Sequence, residues 1–544
     1  MNALTRIGFA LLSGLLLALA WPVDGFAPLV FIAFVPLILL QDKIGDKTIK
    51  GNIFFLSLLA FLLWNALTTW WIARCTIAGS IAAVLLNSIF MATVFYAYHF
   101  IKTRLYNNKK GYFLLILLFA SFEYLHLNWQ LNWPWLNLGN VFSHYYTWVQ
   151  WYEYTGSAGG TVWVLAVNIL LYKLLFGFDV NRYSHKLETK ANFSLAKAKW
   201  SHLGKYSLRV LLMIVVPLLI SKVIYYSYEE TGDDVEVVVV QPNLDPYTEE
   251  FVLSPYEIME RNLSVASTMM TDNTSFVISP ESAIQEDIWI EHIDRYYSVH
   301  ELRKFINNYP NTCYVIGMST LGLAPDDAAD DFAARKFVDA DKYYYAYNTA
   351  ALIDKDSIQM YQKSRLTPGV EMVPSWWFLR PFVKIGIDLG GTTGTLKTDT
   401  EPKLLSFNGL DVATLICYES VFGGYVTEFV KKGAQMIFVI TNDGWWGDTP
   451  GYQQHLEMSQ LRAIETRRSI ARSANTGVSC FINQRGDIMQ KTDYNTHAAL
   501  RNTLKTNDKQ TFYVCYGDYI YKIAVFLTVM VSVITLVRII TKRK

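Results

Sequence analysis

Seven apolar runs of roughly membrane-helix length crowd the chain ahead of Tyr228, and an eighth closes it. They are Ile7–Trp21, Phe26–Leu40, Ile53–Trp70, Ile81–Ile101, Tyr112–Leu127, Thr161–Phe178, Leu208–Tyr226 and Ile520–Ile540. A bilayer crossing needs about 20 apolar residues, so the first two are short and read either as full spans or as a hairpin. Ala18-Leu19-Ala20 resembles a signal-peptidase site, but the next run follows after a few residues, which favours retention. Apolar residues make up 52% of the 544 and charged ones only 17%, against about a quarter in soluble domains. The chain is therefore read as a membrane protein, and a net charge of +1 gives no ground for a nucleic-acid partner.

Basic residues set the orientation. Segments 41–52, 102–111 and 179–206 hold thirteen Lys and Arg, whereas 22–25, 71–80 and 128–160 hold only Arg74. Arg6 and the tail Lys542-Arg543-Lys544 fall on the basic, cytoplasmic side. The expected organisation is a seven-helix bundle over 1–227, an extracytoplasmic domain over 228–517, and a last helix with a basic tail over 518–544. The loop 128–160 contains NWPWLNLG and is rich in Trp and Tyr. It reads as an interfacial aromatic belt, with a wall beside a lipid access path as the sharper alternative.

From Asp233 the apolar runs shorten and become β-branched. Val235–Val240, Phe276–Ser279, Tyr314–Met318, Thr349–Ile353, Val412–Ile416, Met436–Ile440 and Val478–Ile482 read as buried strands. Tyr256–Met270, Val299–Asn308 and Tyr452–Ala471 read as helices between them, which predicts one α/β domain. The polar stretch Ala324–Lys342 reads as a solvated loop.

Polar residues directly after apolar strands mark the candidate site. FVISPESAI places Glu281 there, YQKSRLTPGVEMVP places Lys363 and Glu371, and VATLICYESVF places Cys417, Tyr418 and Glu419. A thiol with a pKa near ~8.5 needs a base or a positive field to react near neutrality. A carboxylate such as Glu281 can take its proton. An ammonium such as Lys363, with the backbone N–H after the nucleophile, can hold the oxyanion of a tetrahedral intermediate. Spacing alone does not assemble these groups; a Cys after a buried strand is more often inert, and a Glu–Lys pair more often lies on the surface.

The residues themselves resemble the Glu-Lys-Cys set of the nitrilase superfamily. Within it, NWPWLNLG, VQPN, ITNDGWWGD and LRAIETRRSIARSANTGVS are similar to the apolipoprotein N-acyltransferase family over essentially the whole chain. The resemblance implies a four-layer αββα sandwich on an eight-helix bundle in a bacterial inner membrane, its catalytic domain periplasmic. It implies that Cys417 takes an acyl chain from a phospholipid as a thioester. The acceptor would be the α-amino group of the S-diacylglyceryl cysteine that begins a diacylated apolipoprotein. Glu281 would be general base and acid and Lys363 the oxyanion stabiliser, with Glu371, Tyr418 and Glu419 in support. Trp445 and Trp446 would contact acyl chains or gate access. No metal and no dissociable cofactor is implied. One departure stands out: the family has aromatic-Gly before the second glutamate, and PGVEMVP here shifts the Gly and puts Val before Glu371, which changes the backbone angles permitted there.

The bland readings cover the other polar residues. His455 reads as structural rather than as a Cys–His partner, and Asp443 and Asp448 as turn formers. Arg467, Arg468 and Arg472 read as an exposed face or internal ion pairs, and Cys313 and Cys480 as core thiols. Cys75 and Cys515, near membrane boundaries, carry no assigned role. The competing enzyme is a membrane-anchored nitrilase or amidase using water as acceptor. A non-catalytic lipid-binding scaffold would not need the complete set, and a transporter would need more charge within its spans.

Overall fold

The structure, a computed structural model, describes residues 1–177, 191–250, 252–373 and 395–541, with 191–198 as backbone alone. Arg182, Lys186, Lys190 and the tail Lys542-Arg543-Lys544 therefore lie outside the described residues. Among these residues, six helices are long and apolar enough to cross a membrane. They are α1 (Ala3–Ala20), α2 (Ala27–Gly45), α4 (Ile77–Tyr106), α6 (Ser157–Phe176), the Lys199–Ser227 part of α7 (Ala191–Ser227), and α12 (Tyr519–Thr541). Two shorter apolar helices, α3 (Ile53–Thr68) and α5 (Phe113–Leu127), complete the set expected from hydropathy. α2 is built in pieces, with Pro36 at the start of its last one, because proline cannot continue the backbone ladder.

The middle of the segment after α5 is buried. Trp135, Leu136, Leu138, Val141 and Phe142 are buried, and the Leu138 N–H donates to Glu123 Oε1 of α5 at 2.8 Å. Gly139 lies so close to α6 that a Cβ there would stand 1.9 Å from the Ser157 carbonyl oxygen.

Beyond the bundle, two sheets stack face to face. The first has eight strands with the order β14-β1-β2-β4-β6-β5, β3 pairing with β4 and β7 with β6. Its members are β1 (Asp234–Gln241), β2 (Thr274–Ile278), β3 (Ile284–Trp289), β4 (Cys313–Leu323), β5 (Arg335–Lys336), β6 (Tyr343–Ile353), β7 (Ile358–Gln362) and β14 (Ala498–Lys505). The second runs β13-β12-β11-β10-β9-β8. Its strands are β8 (Leu405–Phe407), β9 (Leu410–Ile416), β10 (Met436–Thr441), β11 (Ile470–Ala474), β12 (Cys480–Ile482) and β13 (Ile488–Lys491).

Period-two alternation divides the β-branched runs between two cores. Val237, Val239, Phe276 and Val315 join the core shared with the second sheet, where Phe276 meets Phe438 at 5.1 Å. Val238, Val240, Val277 and Ile316 pack instead with residues of α8 (Pro255–Ser267) and α9 (Tyr297–Ile306). On the far side, α10 (Gly423–Lys431) and α11 (Pro450–Thr466) complete the αββα order. Helix α11 ends at Thr466, short of the expected Ala471, because Arg467 takes a left-handed conformation with φ 52°. The chain then enters β11 as an inner strand.

Candidate active site

Cys417 follows β9 directly and has φ 49°, a left-handed conformation that aims the chain sharply into the short helical turn Cys417–Val421. Glu281 sits in the turn after β2, and Lys363 follows β7. The sandwich brings them together. Lys363 Nζ lies 3.0 Å from Glu281 Oε1 and 2.8 Å from Glu371 Oε1, and Lys363 and Glu281 are buried. Asn348 of β6 donates to both carboxylates, at 2.8 and 3.0 Å. The Asn442 N–H donates to Glu281 Oε2 at 3.2 Å.

Two of these features escaped the sequence reading. Asn348 sits in an ordinary apolar strand pattern and carries no spacing signal. Gly317 of β4 allows the Glu281 turn to press against the sheet; a Cβ there would lie 2.5 Å from Glu281 Cα.

The shifted glycine of PGVEMVP is accommodated. Gly369 takes φ 82°, and the Glu371 N–H returns to the Thr367 carbonyl at 3.0 Å. Glu371 then points its carboxylate at Lys363 and accepts from the Thr367 N–H at 2.8 Å. Glu419 ties the two arms of the site. Its Oε1 accepts from Tyr361 Oη (2.5 Å), Ser364 N (2.7 Å) and Arg365 N (3.2 Å), and its Oε2 from Ile416 N (2.9 Å).

Burial alone would press the Lys363 ammonium down, but the carboxylates of Glu281 and Glu371 outweigh it and hold it well above the usual lysine range. Burial likewise opposes ionisation of Glu371, yet Lys363 and the hydrogen bonds keep its pKa lowered. The Cys417 thiol is pushed well up by burial and by the charge of Glu281, with Lys363 acting the other way. Burial and the Glu281 charge both favour the thiol over the thiolate, so attack calls for a base.

Cys417 and Tyr418 line a largely apolar cavity of about 510 Å³. One wall comes from the membrane bundle, with Gly79, Ala82, Ala83 and Leu86 of α4 and Leu131, Trp133 and Trp135 of the segment after α5. Another comes from the catalytic domain, with residues 367–370, Val373 and His455. Residues 131–133 and Trp135 thus form a cavity wall. Trp446 joins this wall, 5.0 Å from Trp71 and 5.8 Å from Trp135. Trp445 is not among the lining residues; it packs on Tyr247 at 5.2 Å, and its carbonyl accepts from Cys75 Sγ at 3.2 Å. Cys75, left without a role by the sequence, lines the cavity.

Beside Cys417, Asp443 opens the short helical turn Asp443–Trp446, as the turn-former reading expected, and is a buried anion. Arg472 and His455 offset the effect of burial and hold its carboxyl well below the usual range. Cys417, Asp443 and His455 place a thiol, a carboxylate and an imidazole within 4.8 Å of one another, but Arg472 already occupies the carboxylate at 2.6 Å. Arg467, Arg468 and Arg472 are all internal.

Residues 13–170 match the apolipoprotein N-acyltransferase N-terminal domain family, and residues 328–507 the carbon-nitrogen hydrolase family. An apolipoprotein N-acyltransferase of Chlorobaculum tepidum is 27% identical over 97% of this chain and 96% of its own. One from Geobacter metallireducens is 26% identical over 94% and 91%. A nitrilase-superfamily amidase of Nesterenkonia superposes with a TM-score of 0.35 at 15% identity, over 54% of this chain and 95% of its own. An αββα carbon–nitrogen hydrolase domain joined to apolar helices defines a membrane-borne enzyme of the nitrilase superfamily. Within that class, the chain belongs to the apolipoprotein N-acyltransferase family.

Proposed function

We propose that the protein moves a fatty acyl chain from a membrane phospholipid to the α-amino group of the N-terminal S-diacylglyceryl cysteine of a lipoprotein. The observation that carries this reading is the position of Cys417, beside Lys363 and Glu281, in an apolar cavity walled by a membrane helix. A hydrolase for soluble amides needs no such wall.

In the first half-reaction Glu281 takes the thiol proton and Cys417 Sγ bonds to the ester carbonyl carbon. The oxyanion is held by Lys363 Nζ and the Tyr418 N–H. Collapse breaks the ester C–O bond, and Glu281 returns the proton to the leaving alkoxide, releasing lysophospholipid and leaving an acyl-thioester. In the second half Glu281 takes a proton from the attacking amine. The new C–N bond forms, the C–S bond breaks, and the thiolate recovers its proton. Glu371 holds Lys363, while Glu419 fixes the backbone on either side of it. The reading needs no metal or dissociable cofactor. The charge asymmetry of the loops supports a periplasmic domain over 228–517 between the bundle of 1–227 and the helix of 518–544, in a bacterial inner membrane.

Incubation of the purified protein with phospholipid alone tests this. An acyl mass on the Cys417 peptide, absent in Cys417→Ala and discharged by a diacylated lipopeptide, is the expected result. An adduct that only water discharges would mark a membrane-anchored hydrolase instead, and no adduct on a folded protein would favour a scaffold.

A further inference from the structure

His455 projects from the buried helix α11 against the nucleophile turn and is itself one of the residues lining the cavity. Its Nε2 lies 3.1 Å from the Cys417 carbonyl oxygen and 2.8 Å from Ser420 Oγ. Ser420 Oγ itself donates to the same carbonyl at 2.8 Å. On the other edge of the ring, Nδ1 lies 3.0 Å from Asp443 Oδ1 and 3.1 Å from Arg472 Nη2. Asp443 is in turn fixed by Thr441 Oγ1 at 2.8 Å and by Arg472. The ring is thus clamped by charged groups on one edge and faces a backbone carbonyl on the other.

What this does follows from the geometry of a peptide. The Cys417 carbonyl and the Tyr418 N–H belong to one planar unit and point in opposite directions. Fixing the oxygen fixes the direction of the N–H. The oxygen is held by His455 and Ser420, so the N–H is directed to the opposite side of the peptide plane, in a turn whose Cys417 and Tyr418 line the cavity together with His455 itself. The left-handed φ of Cys417 makes this plane the one that most needs support.

We infer that His455, anchored by Asp443 and Arg472, is a positioning residue: with Ser420 it locks the Cys417–Tyr418 peptide so that the Tyr418 N–H serves as an oxyanion donor. The inference rests on Cys417 as nucleophile, but it assigns His455 no proton transfer with the thiol. Arg462 of the same helix reinforces the turn by donating to the Val421 carbonyl at 2.8 Å.

The test uses the full-length protein in detergent with a p-nitrophenyl acyl ester, which needs the oxyanion donor whatever the natural acyl source. Four variants are compared: His455→Ala, His455→Asn, His455→Gln and Ser420→Ala. A glutamine amide can place its N–H near the His Nε2 position, whereas an asparagine amide falls short. Acylation of Cys417 is expected to slow about 10- to 100-fold in the Ala and Asn variants. Gln should recover to within about threefold of the parent, and Ser420→Ala, which removes the other donor to the same carbonyl, should show a loss of the same order as His455→Ala. The pH midpoint of iodoacetamide alkylation at Cys417 should stay fixed throughout. A midpoint shifted in all the His455 variants would make His455 the base and overturn the inference. So would Gln as slow as Ala at matched thermal stability, or Ala at the parental rate. Parental protein that accepts acyl from the activated ester but not from phospholipid would instead count against the donor assignment, leaving the His455 comparison intact.

Discussion

Trp135 of the buried segment after α5 stands edge-on to Trp446 of the catalytic domain, with ring centroids 5.8 Å apart and planes at 88°. Neither domain alone makes this wall: Trp71, just before α4, packs on both rings, 5.1 Å from Trp135 and 5.0 Å from Trp446. The cavity over Cys417 is therefore a joint product of the membrane and extramembrane parts. Trp135→Ala is expected to raise the KM for phospholipid about tenfold, or ~1.4 kcal/mol. A short-chain soluble ester, which does not need the wall, should be affected much less. Equal losses on both substrates would show that the ring supports the fold rather than the acyl chain.

Gly317 sets the height of Glu281 above the sheet. A methyl at this position meets backbone, 2.5 Å from Glu281 Cα and 2.7 Å from the Pro280 carbonyl oxygen, so the turn itself must move. Displacing a catalytic group by about 1 Å can cost ~100-fold in rate. Gly317→Ala should therefore lower kcat to that extent while Cys417 remains open to alkylation by iodoacetamide. A parental rate in the folded variant would show that the turn adjusts without displacing the carboxylate.

The buried charges also fix the acid limb of stability. Glu371 and Asp443 both have depressed pKa values, so each favours the folded state above the ordinary carboxylate pKa of about 4. That contribution is lost as pH falls from there through their folded values. Lys363, raised above the usual range, favours the folded state at every pH below about 10 and contributes nothing to the acid limb. Thermal unfolding in detergent should give a Tm that falls steeply below about pH 4. Glu371→Gln should make that fall shallower; an unchanged slope would place the acid sensitivity elsewhere.

Much of this was legible in the sequence, for reasons that can be named. Among the described residues, the eight apolar helices announce themselves through long apolar runs, whether the helix is buried or exposed. The inner strands β1, β2, β4, β9 and β10 do so through β-branched clusters. Strands with polar faces were not visible: β14 alternates Leu500 and Leu504 with Arg501 and Thr503, and β11 carries a buried Arg472 and Ser473. Glu281, Lys363 and Cys417 were found by motif, since no spacing rule unites residues on three strands. Asn348, Gly317 and the Asp443–Arg472 pair act through tertiary contacts that leave no local pattern. In 128–160 the sequence left an interfacial belt and a cavity wall side by side, because both are rich in Trp and Tyr.

Glu419 offers the sharpest test of how the site is held together. Both of its oxygens accept from backbone N–H groups, Ser364 and Arg365 on one and Ile416 on the other. Ser364 follows the lysine and Ile416 precedes the nucleophile, so this one carboxylate sets the separation of Lys363 and Cys417. Glu419→Gln keeps the shape, but either orientation of the amide turns an NH₂ toward a backbone donor. The variant must leave a buried N–H unpaired, costing about 1–3 kcal/mol, and must push the two arms apart. It should lose stability by that amount and acylate Cys417 at least tenfold more slowly. Glu419→Asp should fail in a different way, keeping both acceptors but with a side chain too short to reach both arms. A Gln variant of parental stability and rate would mean that the arms are positioned by the sheets alone.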